Sequence, residues 1–255
     1  MRKVSCFIFA VLVFSFTSCD NFFSTSLGRP QKYDSSKMAV NAGNVDQWLE
    51  SARGNSELTT ALLDKIMAEL DKGGISGSSK AKLMEAGIKL SVQSAGVASS
   101  IITHGSSVLQ DFDNLTENKV TELLDNIIDD FNSKGGKEAA VNIAQIASMD
   151  IRDNGRDSTP QFGSDYRDTA KPGEVAEAIL VLAMAELGPN PSIDNWNSPS
   201  DLGFDIQGGL VTVVKPVPSP NQVALAAYLN LITTGGSAFD DNPLTSVIKD
   251  AFNLI

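Results

Sequence analysis

The chain has 255 residues, 42% apolar, 7% aromatic and 20% charged, with 20 basic side chains against 31 acidic ones and a net charge of −11. This ordinary globular balance excludes a collagen-like, a disulfide-dense or a wholly disordered chain. The acidic excess argues against nucleic-acid binding, which needs clustered Lys and Arg against the phosphate backbone.

Met1-Arg2-Lys3 supplies a short cationic region, and Val4 to Phe16 an apolar run of 13 residues broken only by Ser5, Cys6 and Ser15. This is the pattern of a secretory signal. At ~1.5 Å per residue the run covers about 20 Å, short of the roughly 30 Å hydrocarbon core, so a cleaved signal is favoured over a permanent span. Phe16-Thr17-Ser18-Cys19 follows, with small residues before a cysteine.

That stretch resembles the relaxed lipobox of bacterial lipoproteins, particularly those of spirochaetes and Bacteroidetes. The resemblance implies that residues 1–18 are a signal peptide and that Cys19 becomes the diacylated N-terminus, holding the protein to a membrane through diacylglycerol. An ordinary cleaved signal is the alternative. Several acyl chains anchor what one chain holds only reversibly. The other cysteine, Cys6, lies inside the signal, so the mature chain has no disulfide framework and no Cys-based zinc or redox site. Cleavage also removes Arg2 and Lys3, taking the charge from −11 to −13. Such a body is repelled by anionic headgroups, so the tether holds it at the membrane. Ser18-Cys19-Asp20-Asn21-Phe22-Phe23 is similar to the mature start of SusD-type glycan-binding lipoproteins, which are also helical-repeat proteins. The expected place is the cell envelope, on the inner or outer membrane, with the body in the periplasm or at the cell surface.

Residues 19–43, polar with Gly28, Pro30 and Gly43, read as a flexible tether. Residues 44–255 form the predicted helical domain. Across 44–152 there is no proline, and apolar groups recur at helical spacing. Asn44 is placed to cap Val45 to Arg53, ended by Gly54. From Asn55 or Ser56 a second helix carries Leu58, Leu62, Ile66 and Leu70 and stops at Gly73-Gly74. Lys80 to about Ser94 and Val97 to Leu109 follow. A helix from Asn114 or Thr116 runs through Leu123, Leu124, Ile127 and Phe131 to Gly135-Gly136, and another spans Lys137 to Ile151.

Short Gly-rich turns between such helices predict an all-α fold of antiparallel hairpins. Thr60 to Ile66 matches Thr121 to Ile127 at five of seven positions. With Leu83, Ala86-Gly87, Leu90, Ala95 and Ala98, this body resembles tetratricopeptide-type helical repeats over 44–152, without their Trp and Pro marks. The resemblance implies stacked hairpins; an open solenoid and a closed bundle both fit the pattern. Residues 153–171 read as a loop and Pro172 to Leu187 as a helix. Residues 188–220, holding six of the ten prolines and Trp196, read as a long Pro/Gly-rich loop with one strand-like run, Leu210 to Val214. Helices over 221–233 and 243–254 close the chain.

Motifs for chemistry fail on context. His104 has no G-x-S-x-G elbow and reads as a partly buried polar group or a helix C-terminal dipole partner. Gly73 to Lys80, GGISGSSK, lacks a glycine before Lys80 and a preceding strand, so it is no phosphate loop. Asp150 to Gln161 has Arg152 and Gln161 where a calcium loop needs carboxylates and reads as a surface turn. Ser246-Val247-Ile248-Lys249 has S-x-x-K spacing without partner motifs and reads as a solvated helix face. Asp111, Asp113 and Glu117, and Asp125, Asp129 and Asp130, read as solvated surface rather than metal ligands.

No enzyme, cofactor or metal is therefore expected. The functional expectation is a membrane-anchored envelope scaffold that binds an envelope protein partner. The alternative is a small-molecule or glycan binding lipoprotein using the 188–220 loop, with Trp196 stacking on the ligand, although Trp196 reads first as cover for the helical core.

Overall fold

A computed structural model describes residues 37–75, 77–97, 99–100, 117–152, 159–186, 199–214 and 217–254. Among these residues the architecture is all-α apart from two short antiparallel strand pairs. The helices are α1 (Val45–Ala52), α2 (Ser56–Asp71), α3 (Gly77–Ser94), α4 (Glu117–Ser133), α5 (Gly136–Ser148), α6 (Ser164–Arg167), α7 (Pro172–Glu186), α8 (Pro220–Thr234), α9 (Ser237–Asp240) and α10 (Pro243–Phe252). Strands β1 (Ile151–Arg152) and β2 (Gln161–Phe162) pair antiparallel. So do β3 (Phe204–Gln207) and β4 (Leu210–Val213).

Helix α2 forms as its sequence directs. The Asn55 side chain accepts from Leu58 N at 3.0 Å. The stripe Leu58, Leu62, Ile66 and Leu70 is buried, and Gly73 and Gly74 leave the helix with positive φ. Helices α3 and α5 approach closely because their facing residues are small. A Cβ on Gly87 would lie 2.7 Å from Ile146 Cδ1 and 3.3 Å from Ile66 Cγ2, and Ala140, Ala144 and Ala147 are buried on α5.

The elements close on one another. Helix α5 packs on α3, α4, α7 and α8, while α7 packs also on α3, α8 and α10. A solenoid joins each unit only to its neighbours, so these described residues make a closed cluster rather than an open array. Near its middle lies α8, buried from Ala224 through Ile232 without interruption. A helix apolar all round must be enclosed, and α5, α7, α10, β2 and β4 do so.

Two polar side chains on α8 organise what surrounds it. Gln222 closes a capping box with Ser219, accepting from Ser219 N at 2.9 Å, and donates to the Leu202 carbonyl at 2.8 Å. Asn230 donates from Nδ2 to the carbonyls of Val211 and Pro160, both at 2.9 Å, and accepts from Val211 N at 2.7 Å. It thus serves β4 as a neighbouring strand would and joins that hairpin to the β2 segment. Thr159 and Thr212 hydroxyls meet beside it at 3.1 Å.

Several expectations are corrected. The helix expected to reach Ile151 stops at Ser148, because Gly163 N donates to Asp150 O at 2.9 Å and pulls the chain into the β1–β2 pair. The 153–171 segment holds β2 and α6, and the 188–220 segment holds a 3-10 turn (Pro199–Leu202) and the β3–β4 hairpin. The hairpin turns on Gly208 and Gly209, with φ of 57° and 79°, as a two-residue connection between right-twisted strands demands. Helix α3 begins at Gly77, before Lys80, because the Asp165 carboxylate, from α6, accepts from Gly77 N at 2.9 Å. Asn44 makes no side-chain cap to α1. Its side chain instead accepts from Asn41 N and donates to Ala39 O. Among the described residues no helix is long and apolar enough to cross a membrane.

Replacing Asn230 by Ala leaves three backbone groups of β4 and Pro160 buried without partners. The expected loss is about 3 kcal/mol of unfolding free energy in urea titration, on the scale of ~1–3 kcal/mol per orphaned group after partial relaxation.

Candidate functional site

The residues singled out for function in the sequence, Cys19, Trp196 and His104, lie outside the described residues, as do Asp111 and Asp113. Of the second carboxylate set, Asp130 is already engaged: it accepts from Lys134 Nζ at 2.7 Å and from Ser100 Oγ at 2.5 Å. No group of three or more His, Cys, Asp or Glu among the described residues is arranged to hold a metal ion.

The GGISGSSK segment is filled from within. The Asp165 carboxylate occupies the Gly77 amide, where an anionic ligand would sit at a helix N-terminus. Lys80 Nζ turns inward to Met149 O at 2.7 Å and Asp150 Oδ1 at 2.9 Å. Asp150, expected at the surface, is buried. Its second carboxylate oxygen faces Tyr166 N at 3.4 Å. Pairing is what makes its burial tolerable.

Between α3 and α7, Lys171 bridges Glu85 and Glu174. Beneath lie three buried rings: Phe162 stands 4.7 Å from Tyr166 and 4.8 Å from Tyr228, centroid to centroid. Burial pushes the Tyr166 phenol well above its usual range, with the neighbouring Tyr228 adding to it. Tyr228 Oη makes no well-formed hydrogen bond among the described residues. Burial, then the adjacent Glu85 carboxylate, raises the Glu174 pKa against the opposing pull of Lys171 and Lys89. The Lys171 ammonium is raised chiefly by its hydrogen bond to Glu85.

A further set of polar side chains meets at the C-terminal end of α8. Helix α8 ends at Gly235, whose N–H donates to Leu231 O at 2.8 Å. A Cβ there would meet the Phe239 ring at 2.5 Å. Gly236, with φ 78°, then turns the chain into α9. Asn242 caps α10 by accepting from Leu244 N at 3.0 Å and Thr245 N at 3.3 Å, with Pro243 in the first turn. The buried Thr245 hydroxyl donates to the Phe239 carbonyl and ties α10 to α9.

This fold-back leaves a cleft of about 350 Å³ lined by Thr233, Asp240, Ser246, Lys249 and Leu254. Lys249 is 7% exposed, and its ammonium donates to Asp240 Oδ1. The solvated helix face expected for Ser246 to Lys249 is therefore corrected. Gly235 and Gly236 bring α9 back over α10, and Lys249 is enclosed. The Gly-Gly pair was visible in the sequence, but the direction of the fold-back was not. No hydrogen bond joins Ser246 Oγ to Lys249 Nζ, and the ammonium faces a carboxylate, so the S-x-x-K spacing does not make a nucleophile and base here.

Comparison with protein-family models, with curated proteins and with solved structures finds no match to this chain.

Two outcomes follow from these charges. Asp240→Ala strands the enclosed Lys249 ammonium and should cost about 1–3 kcal/mol, whereas Lys249→Met, which replaces the charge by an apolar side chain of similar length, should cost less. Urea titration of the two variants orders them. A raised Glu174 pKa favours the folded state fully below the ordinary carboxylate value, and the benefit is lost as pH rises through the raised value. Glu174→Gln should therefore melt above the wild type at pH 7, with the difference disappearing toward pH 4 in a calorimetric pH series.

Proposed function

We propose that this protein is a lipid-anchored component of the bacterial cell envelope, whose helical body acts as a non-enzymatic binding module for an envelope protein. The observation that carries the reading is the placement of Cys19: small residues precede it, directly after a 13-residue apolar run that follows Arg2 and Lys3. The run is long enough for an exported signal and too short for a permanent span, while a thioether-linked diacylglycerol at Cys19 supplies a durable anchor.

The body is suited to this role in two respects. Its described helices share one hydrophobic core. Its net negative charge weakens nonspecific adhesion to anionic lipid, leaving its surfaces available to a partner. A scaffold of this kind acts through surface recognition rather than through a reacting group.

Mass spectrometry of the product made in a lipoprotein-processing bacterium should find a mature chain beginning at a diacylated Cys19, located in the membrane fraction. Cys19→Ser should move the protein to the soluble fraction without changing its melting temperature. An unmodified thiol at Cys19, or a wild-type product wholly soluble without detergent, would overturn the anchor. Crosslinking in intact envelopes that recovers only the folded bait would overturn the scaffold.

A further inference from the structure

We propose that the cleft between α8, α9 and α10 binds a small carboxylic acid that carries a hydroxyl or ammonium group beside its carboxylate. The inference is independent of whether Cys19 bears lipid.

The cleft presents both halves of such a ligand's complement. Lys249 Nζ has three donors, and among the described residues only one is engaged, by Asp240. Ser246 lies one helical turn away on the same face of α10, and its hydroxyl has no hydrogen-bond partner among the described residues. The Lys249 residue is 7% exposed, and it lines the cleft with two donors that no described residue engages. A carboxylate offers these donors charge-assisted acceptors and accepts from the Ser246 hydroxyl as well.

On the other side, Asp240 keeps a side chain 61% exposed, with acceptor capacity beyond its bond to Lys249. A ligand hydroxyl or ammonium next to the bound carboxylate can donate to it. Thr233 completes the polar lining. Its hydroxyl donates to the α8 backbone, Oγ1 lying 2.9 Å from Asn230 O, so towards the cleft the oxygen acts as an acceptor. Leu254 adds a single apolar wall.

Size and charge narrow the ligand class. A volume of about 350 Å³ lies at the lower end of ligand pockets, which suits a molecule of amino-acid size. Asp240 and Lys249 cancel in charge, so the cleft favours a ligand bearing a donor beside its anion over a bare anion.

Isothermal titration of the full mature chain with lactate and with L-serine, at ionic strength matched with sodium chloride, tests the proposal. Acetate and ethylammonium serve as single-function probes. Lactate or L-serine should bind saturably at one site, and acetate and ethylammonium at least fivefold more weakly. Ser246→Ala removes a hydroxyl with no partner among the described residues and should weaken binding at least fivefold at unchanged melting temperature. Lys249→Met should abolish binding. The proposal fails if neither two-function probe gives saturable heat, if acetate binds as tightly as both, or if folded Ser246→Ala binds like the wild type. Should Lys249→Met not fold, Ser246→Ala decides alone.

Discussion

The enclosure of α8 is the constraint on which the rest of this structure depends. A helix buried on every face gains much from removal of apolar surface, and it tolerates polar atoms only if each finds a partner. Asn230 meets that demand by facing the edge of β4, and in doing so it fixes where the β3–β4 hairpin and the Pro160 segment sit. Gln222 does the same at the other end through Leu202, while Ser219 bonds Glu186 at the end of α7. Two short hairpins that would be marginal alone are thereby held to a helix.

The same economy governs charge. The chain has fewer cations than anions, and two of the cations face inward. Lys80 ties α3 to the α5–β1 turn through Asp150, and Lys249 ties α10 to α9 through Asp240. Asp165 takes the N-terminal amide of α3. Segments that look like anion sites in one dimension are thus completed by the protein's own side chains. The cleft beside Lys249 differs, because its ammonium keeps donors that no described residue engages and the Ser246 hydroxyl next to it has no partner among the described residues.

Legibility of the sequence varied with the range of the interaction involved. The caps and stops of α2 are local: Asn55 lies three residues from the amide it binds, and Gly73-Gly74 follow directly. Those bounds could be read without a structure. The start of α3 depends on Asp165, 88 residues away, and the end of α5 on Gly163, so neither was readable from its own neighbourhood. The β3–β4 hairpin had a legible turn in Gly208-Gly209, but the prolines around it drew the whole 188–220 stretch into a loop. Lys249 was misplaced for the same reason as α3: its partner lies on another element.

By itself the sequence determined the helical class, the apolar stripes, the local stops at glycine and the placement of Cys19 behind a short apolar run, since each rests on residues within a few positions of one another. Only the tertiary structure decided that the hairpins close into a cluster, that Asp150 and Lys249 are interior, and that Ser246 and Lys249 share a cleft with Asp240 and Thr233. Periodicity states which face of a helix is apolar. Which element covers that face, and which charges are enclosed with it, is decided by packing between residues far apart in the chain.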